Sequence, residues 1–330
     1  MIYLDFYGIK LKVVSDDADL LEKLRADFSY FKSSDDSYSI SVNIQKQKPL
    51  YDKIRGLKAL IRKSDCAIYD KGNERFVDYL GEALAVYNYG TETGEIYSIN
   101  KDLLHELAYL MILSRVGEKL DKKGVHRVHA LGITCNSKTV LCLMPQGAGK
   151  TTLCLELLKY PEIKLLSDES PLISRKGQIL PFPLRIGINT SLDIPGKYLY
   201  NFNRRKYGNK TLIDIEYFKD KIAVSDEASD FPVSVFIGKR EASVNSIIKK
   251  AAKHKAIVPF MQHHVIGIGL PQMIEYFLRK DFQDIISKTG ILFSRMYTSI
   301  KSILKSDVYV FIIGQDKQKN AQVLIEFLKK

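Results

Sequence analysis

The chain is poor in cysteine. Cys66, Cys135, Cys142 and Cys154 are the four thiols in 330 residues, and none is spaced as a C-x-x-C pair. That leaves no disulfide framework to read, and predicts a reduced, cytoplasmic chain with small buried thiols. Also missing is an apolar run approaching the ~20 residues that a membrane-spanning helix needs, so no membrane partner is expected. The N-terminal "MIYLDFYGIKLKVV" lacks the layout of a signal peptide. It alternates, carries an acid at Asp5, and reads as a strand from Ile2 to Val14. No arginine-rich arm or aromatic RNA-binding signature accompanies the basic excess, which argues against nucleic acid. Internal repeats and low-complexity tracts are absent too.

What is present is the composition of an ordinary globular protein, 45% hydrophobic and 27% charged. Lys+Arg number 50 against 38 Asp+Glu, a net +12 that favours anionic partners. The excess is spread thinly, with short clusters at 204–206 and 249–250. One glycosylation triplet, at 189–191, matters only in a secreted protein.

Periodicity divides the chain into two regions. Residues 1–120 read as a smaller α+β domain for recognition or assembly. After the first strand comes an amphipathic helix, "DADLLEKLRADFSYF", capped by Asp16 or Asp17. Alternating strands follow in "SYSISVNIQ", "ERFVDYL", "ALAVYNYG" and "GTETGEIYSI". A helix over "KDLLHELAYLMILSRVGEKL", apolar on more than one face, is expected to be buried between the domains. Residues 121–330 read as an α/β domain. Two strands, "RVHALGITCN" and "KTVLCLM", flank a turn at 136–137, and "IKLLS", "VSVFIG" and "VYVFIIG" are further strands. Helices are expected at about 269–280 and 316–329.

The chemistry is concentrated in "LMPQGAGKTTLCLELL", residues 143–158. Gly149-Lys150-Thr151 ends a G-x-x-x-x-G-K-[ST] phosphate loop, with Met144 where its first glycine is expected. Small residues at Gly147, Ala148 and Gly149 let backbone N–H groups approach polyphosphate closely. Lys150 would neutralise the β- and γ-phosphates, Thr151 would ligate Mg²⁺, and Thr152 completes the nucleotide-binding set. A buried strand before the loop and an amphipathic helix after it are the expected context. Met144 is tolerable at a strand end if its backbone dihedrals are ordinary.

Eighteen residues past Lys150, Asp168 stands beside Glu169 at the carboxyl end of an apolar strand. In open α/β sheets such ends face the ligand crevice, where a carboxylate holds Mg²⁺ or takes a proton from an attacking hydroxyl. His129 opens the strand that pairs with the loop strand and could reach the same edge.

This ordered set resembles the catalytic core of the HPr kinase/phosphorylase family and its kinase relatives, which include lasso-peptide precursor kinases. The similarity spans roughly 124–190 and takes in "ILPFPLRIGI". Three features depart from the family: Met144 for the first glycine, Glu169 for the second aspartate, and a longer segment at "YPE". The resemblance implies a P-loop kinase core of the phosphoenolpyruvate carboxykinase type rather than a Ras-like one. It implies ATP and Mg²⁺ as cofactors, and phosphoryl transfer to a Ser/Thr-type hydroxyl of a peptide or small protein. Asp168 would be the base and a metal contact, His129 would orient or neutralise near the γ-phosphate, and self-association is possible. Arg185, and less so Lys239 or Arg240, are candidate phosphate contacts. A small-metabolite kinase and a catalytically silent nucleotide-binding regulator stay open as alternatives.

Other motifs fall short. His263-His264 lacks ligand-spaced partners for zinc, "GIGLPQ" at 267–272 lacks a third glycine, and "HELAY" at 105–109 lacks its second histidine.

Overall fold

The computed structural model describes the chain except residues 137, 189–192, 206–207, 225–232, 242–244 and 272–281. Several expectations fall outside the described residues: Ser137 of the 136–137 turn, the 189–191 triplet, Lys206, Gln272 and the 269–280 helix from 272 onward. The described start of that helix, 269–271, is not helical.

The protein is a mixed α/β structure with two compact units. One gathers Met1–Lys119 and Gly187–Tyr217; the other gathers Leu120–Ile186, Phe218–Leu270 and Phe282–Lys330. Chain order alone, which assigns everything after 120 to one domain, does not anticipate the return of Gly187–Tyr217 to the first unit.

In the first unit the strands are β1 (Ile2–Asp5), β2 (Lys10–Ser15), β3 (Ile40–Gln45), β4 (Ile61–Arg62), β5 (Ala67–Lys71), β6 (Glu74–Asp78), β7 (Ala83–Asn88) and β8 (Thr93–Ser98). Among the described residues they form one sheet in the order β1-β2-β3-β8-β7-β6-β5-β4. The single strand expected from Ile2 to Val14 is a hairpin instead. Tyr7 and Gly8 turn with φ of 57° and 77°, and the Gly8 N–H donates to Asp5 Oδ1 at 2.6 Å. The clue lay in the phase of the alternation. Ile2, Leu4 and Phe6 are buried at even positions, then Ile9, Leu11 and Val13 at odd ones, a switch that a continuous strand cannot make.

Helix α1 (Ala18–Asp27) starts where expected, with the Asp17 side chain accepting from the Leu20 N–H. Helix α2 (Lys101–Lys122) carries His105, whose Nε2 lies 2.6 Å from the buried Asp27. Tyr200 donates to the same carboxylate at 2.5 Å, and Ser29 donates to Asp214 at 2.8 Å. These bonds attach the later segment to the first unit, so His105 serves a structural clasp.

In the second unit β9 (Val125–Arg127) is followed by β10 (Ala130–Cys135), β11 (Lys138–Leu143), α3 (Lys150–Leu157), β12 (Ile163–Ser167), β13 (Leu172–Ser174) and β14 (Ile179–Leu180). The chain then passes through β15 (Ile186–Ile188) and through β16 (Leu199–Arg204) and β17 (Gly208–Ile213) of the first unit, and returns to the second with β18 (Ser234–Arg240), β19 (Ile247–Lys250), α4 (Ile257–Phe260), α5 (Phe282–Lys305), β20 (Asp307–Ile313) and α6 (Lys317–Leu328). The main sheet runs β12-β10-β11-β18-β20-β19. Strand β10 is antiparallel to both β11 and β12, whereas β11, β18 and β20 are mutually parallel. Strand β10 is buried along its whole length and β11 is buried from Thr139 onward, as inner strands of a sheet covered on both faces require. Cys135, Cys142 and Cys154 are free and buried here, as Cys66 is in the first unit. No helix among the described residues is long and apolar enough to cross a membrane. Helix α5 has no counterpart in the sequence reading. Its Ser, Thr and Gly content lowers helix propensity and weakens the signal.

Candidate functional site

The strand directions decide what meets what. Because β10 runs against both neighbours, its first residue lies at the edge where β11 and β12 end. Ala130 is opposite Leu143, and Gly132 is opposite Ser167. His129, Met144 and Asp168, each one residue beyond those strands, therefore share one edge of the sheet. The loop and α3 follow from β11 at that edge.

Gly147 and Gly149 have φ of 78° and 100°, the left-handed region that glycine enters without strain. A Cβ on either would meet nothing within 4 Å, so the loop's crest is open to a bulky group. The Ala148 N–H closes a turn onto the Pro145 carbonyl at 3.2 Å, and Gly149 caps α3 through the Leu153 N–H at 2.9 Å. Thr152 is half-buried in the first turn of α3.

Met144 is fully buried, and its φ is not among the positive values. Its side chain lies over Gly238 of β18, where a Cβ would stand 2.4 Å from Met144 Cγ. The methionine thus occupies room that a glycine on the neighbouring strand leaves free. Lys239 and Arg240 extend exposed from the same strand end.

Lys150 is 8% exposed. Its Nζ donates to the Met144 carbonyl at 2.9 Å and, at the longer distance of 3.5 Å, to that of Pro145. Burial lowers its pKa to about 8, against the opposing fields of Glu169 and then Asp168. The ammonium is therefore held close to two carboxylates with backbone oxygens as its direct partners. Thr151 Oγ1 donates to Asp168 Oδ2 at 3.4 Å, so the hydroxyl and the carboxylate meet at the head of α3. Glu169 is half-buried. Its carbonyl accepts from the Ala130 N–H at 3.2 Å, while the Ser167 hydroxyl accepts from the N–H groups of Glu169 and Ser170. The acidic turn is thereby fixed at both ends.

His129 is buried, and burial followed by the charge of Lys150 lowers its pKa to about 3. In this arrangement its neutral form is favoured. Its Nδ1 lies 3.3 Å from Nδ1 of His263, and its N–H donates to the His263 carbonyl at 2.9 Å. His263 belongs to a wide π-helical turn, Met261–Ile266, that continues α4. Sequence reasoning weighed His263 only as a zinc ligand and set it aside. The signal for its actual place was Gly269, whose absent Cβ would lie 2.2 Å from the His129 ring. The part of "GIGLPQ" from Gly267 to Leu270 is thus a turn that makes room for an imidazole. Behind this turn, Arg295 binds Asp121 through two nitrogens at 3.0 and 2.7 Å and donates to the His264 carbonyl at 2.8 Å.

Arg185 stands half-buried just before β15, while the charges acting most on Lys150 are Glu169 and Asp168 and those acting most on His129 are Lys150 and His263. The residues fit a phosphate group. They offer an open loop with glycines in the left-handed region, a buried ammonium and a hydroxyl beside a carboxylate. Among the described residues no three His, Cys, Asp or Glu side chains converge as a metal-holding group. Mg²⁺ here would draw most of its ligands from phosphate and water, with Thr151 and Asp168 as the protein's share. A scan against protein-family models and a search of curated proteins find no match to this chain.

Proposed function

We propose that the second unit binds ATP or another nucleoside triphosphate with Mg²⁺ and transfers its terminal phosphoryl group to a hydroxyl acceptor. The likeness to HPr-kinase-type cores makes a serine or threonine of a peptide or small protein the preferred acceptor. The observation that carries the reading is the convergence of Lys150, Thr151 and Asp168 at one sheet edge, around a loop with an open crest. Loop N–H groups and Lys150 hold the phosphates, while Thr151 and Asp168 face the metal position. Mg²⁺ supplies charge neutralisation on the phosphate oxygens. Asp168 takes the acceptor's proton, and Glu169 keeps the local field negative around Lys150. His129, kept neutral and braced by His263, orients the transferring group by hydrogen bonding. In such a reaction positioning and electrostatics carry most of the rate.

The test is transfer of γ-labelled phosphate from ATP to a panel of Ser/Thr peptides and, separately, of small hydroxyl compounds. Label on peptides that Asp168→Asn abolishes is the expected result. Label confined to small compounds would move the assignment to a metabolite kinase. Transfer unaffected by Asp168→Asn would defeat the proposed role of that residue.

A further inference from the structure

Helix α5 is amphipathic in the unusual sense. Its inward face sets Ile291 and Ile303 among polar and small groups: Ser294, Arg295, Thr298, Ser299 and Ser302 are all buried, with Ser299 bonded to His264 and Arg295 to Asp121. Its outward face carries the large apolar groups. Ile286, Phe293, Tyr297, Ile300 and Leu304 are between 55% and 64% exposed, and Ile285 and Leu292 widen the stripe on one side. Isolated exposed apolar residues are ordinary, but a continuous helical stripe of this kind marks a surface that is covered by something.

The spacing points to the cover. Positions 286, 290, 293, 297, 300 and 304 follow 4-3-4-3-4 steps, one line along a helix, and they are symmetric about residue 295. An identical helix laid antiparallel on this line pairs Ile286 with Leu304, Gly290 with Ile300, and Phe293 with Tyr297, each pairing occurring twice. Gly290 has nothing within 4 Å of where a Cβ would be, so it offers a hollow for the opposing Ile300. Antiparallel packing also opposes the helix macrodipoles favourably. The stripe spans about 27 Å at ~1.5 Å per residue. Seven large side chains on this face would remove roughly 700 Å² per copy, about 1,400 Å² for a pair, within the range of specific interfaces. A membrane-surface helix would carry a row of Lys and Arg along its polar face; here that face is buried against the rest of the unit.

We infer that the protein forms a two-fold dimer in which the α5 helices of two copies of this chain pack antiparallel through Ile286, Phe293, Tyr297, Ile300 and Leu304. The interface is isologous, so each contact occurs twice and the assembly closes at two.

The test is sedimentation equilibrium of the full chain. Wild type should run as a dimer of 37.6 kDa chains at micromolar concentration. Ile286→Lys and Leu304→Glu should each shift the chain to monomer, since either one buries two unpaired charges against apolar partners. Mixed in equal amounts, those two variants should recover a heterodimer, because the antiparallel register sets the substituted ends against each other. Far-UV circular dichroism, expected to be unchanged, guards against misfolding at these exposed positions. A monomeric wild type would overturn the inference, as would a dimer that Phe293→Asp leaves intact. Dissociation without recovery on mixing would overturn the register and with it the antiparallel arrangement. Wild-type monomer that sediments with anionic vesicles would reassign the face to a lipid surface.

Discussion

Two buried cations, one in each unit, are treated in opposite ways. Arg115 in the first is 1% exposed and is paired with carboxylates. It donates to Glu118 at 2.6 Å and to Glu92 at 3.1 Å, and lies over the rings of Tyr87 and Tyr89 at 4.6 and 4.9 Å. Burial works against its charge, but Tyr87, Glu118 and Glu92 more than offset it, and the guanidinium is held protonated more firmly than in water. Lys150 in the second unit is nearly as buried, yet its direct partners are backbone carbonyls, and burial wins. A structural charge is given its counter-charge. Among the described residues Lys150 has no carboxylate as a direct partner, and under the proposed function that is the place an incoming phosphate would fill.

The contrast can be broken by substitution. The largest effect on stability should come from Arg115→Ala. It removes the buried guanidinium that Glu118 and Glu92 both accept from, and should cost about 3–5 kcal/mol in denaturant unfolding. Lys150→Ala removes a charge that burial already disfavours, so it should leave stability unchanged or slightly raised while nucleotide affinity collapses. If Lys150→Ala instead unfolds the protein as Arg115→Ala does, the two cations are alike and the contrast fails. Next, Asp168→Asn should reduce phosphoryl transfer by at least about a hundredfold, the size expected for losing a positioned base, with nucleotide still bound.

A smaller effect tests the methionine in the loop. Gly238→Ala places a methyl group against Met144 and should cost about 1–3 kcal/mol. Met144→Ala in the same chain should recover most of that, and strictly additive costs would show that the two residues do not share the space. The smallest effect is in pH. Because Lys150 has its pKa depressed in the folded state, the unfolded chain binds the extra proton between about pH 8 and the ordinary lysine range. This group therefore penalises stability fully below about pH 8, and the penalty is relieved as pH rises above it. Phosphate binding favours the ammonium, so near pH 8 nucleotide binding should take up protons. Calorimetry in buffers of different ionisation enthalpy would show this, and it should vanish in Lys150→Arg.

The site was legible in the sequence to the extent that its chemistry is local. The loop, the acid pair and His129 each sit at a strand end, and once the strands are drawn the antiparallel course of β10 makes their meeting unavoidable. The N-cap at Asp17 was equally local. What could not be read depends on partners distant in sequence. His263 reaches His129 from 134 residues away, through a turn whose glycine makes sense only beside an imidazole. The return of Gly187–Tyr217 to the first unit rests on Tyr200 and Asp214 meeting Asp27 and Ser29. Met144 looked like a fault in the motif because its compensation, Gly238, lies on another strand. Helix α5 escaped notice because Ser, Thr and Gly blur its propensity, and most of its large apolar residues turn away from the core.

The most direct measurement is calorimetric titration of Mg·ATP into the wild type, Lys150→Ala and Asp168→Asn. A working phosphate loop should bind in the wild type, fail in Lys150→Ala and persist in Asp168→Asn. Absence of binding in the wild type, with and without Mg²⁺, or binding that Lys150→Ala leaves intact, would contradict it and leave "GAGKTT" as a turn into a helix.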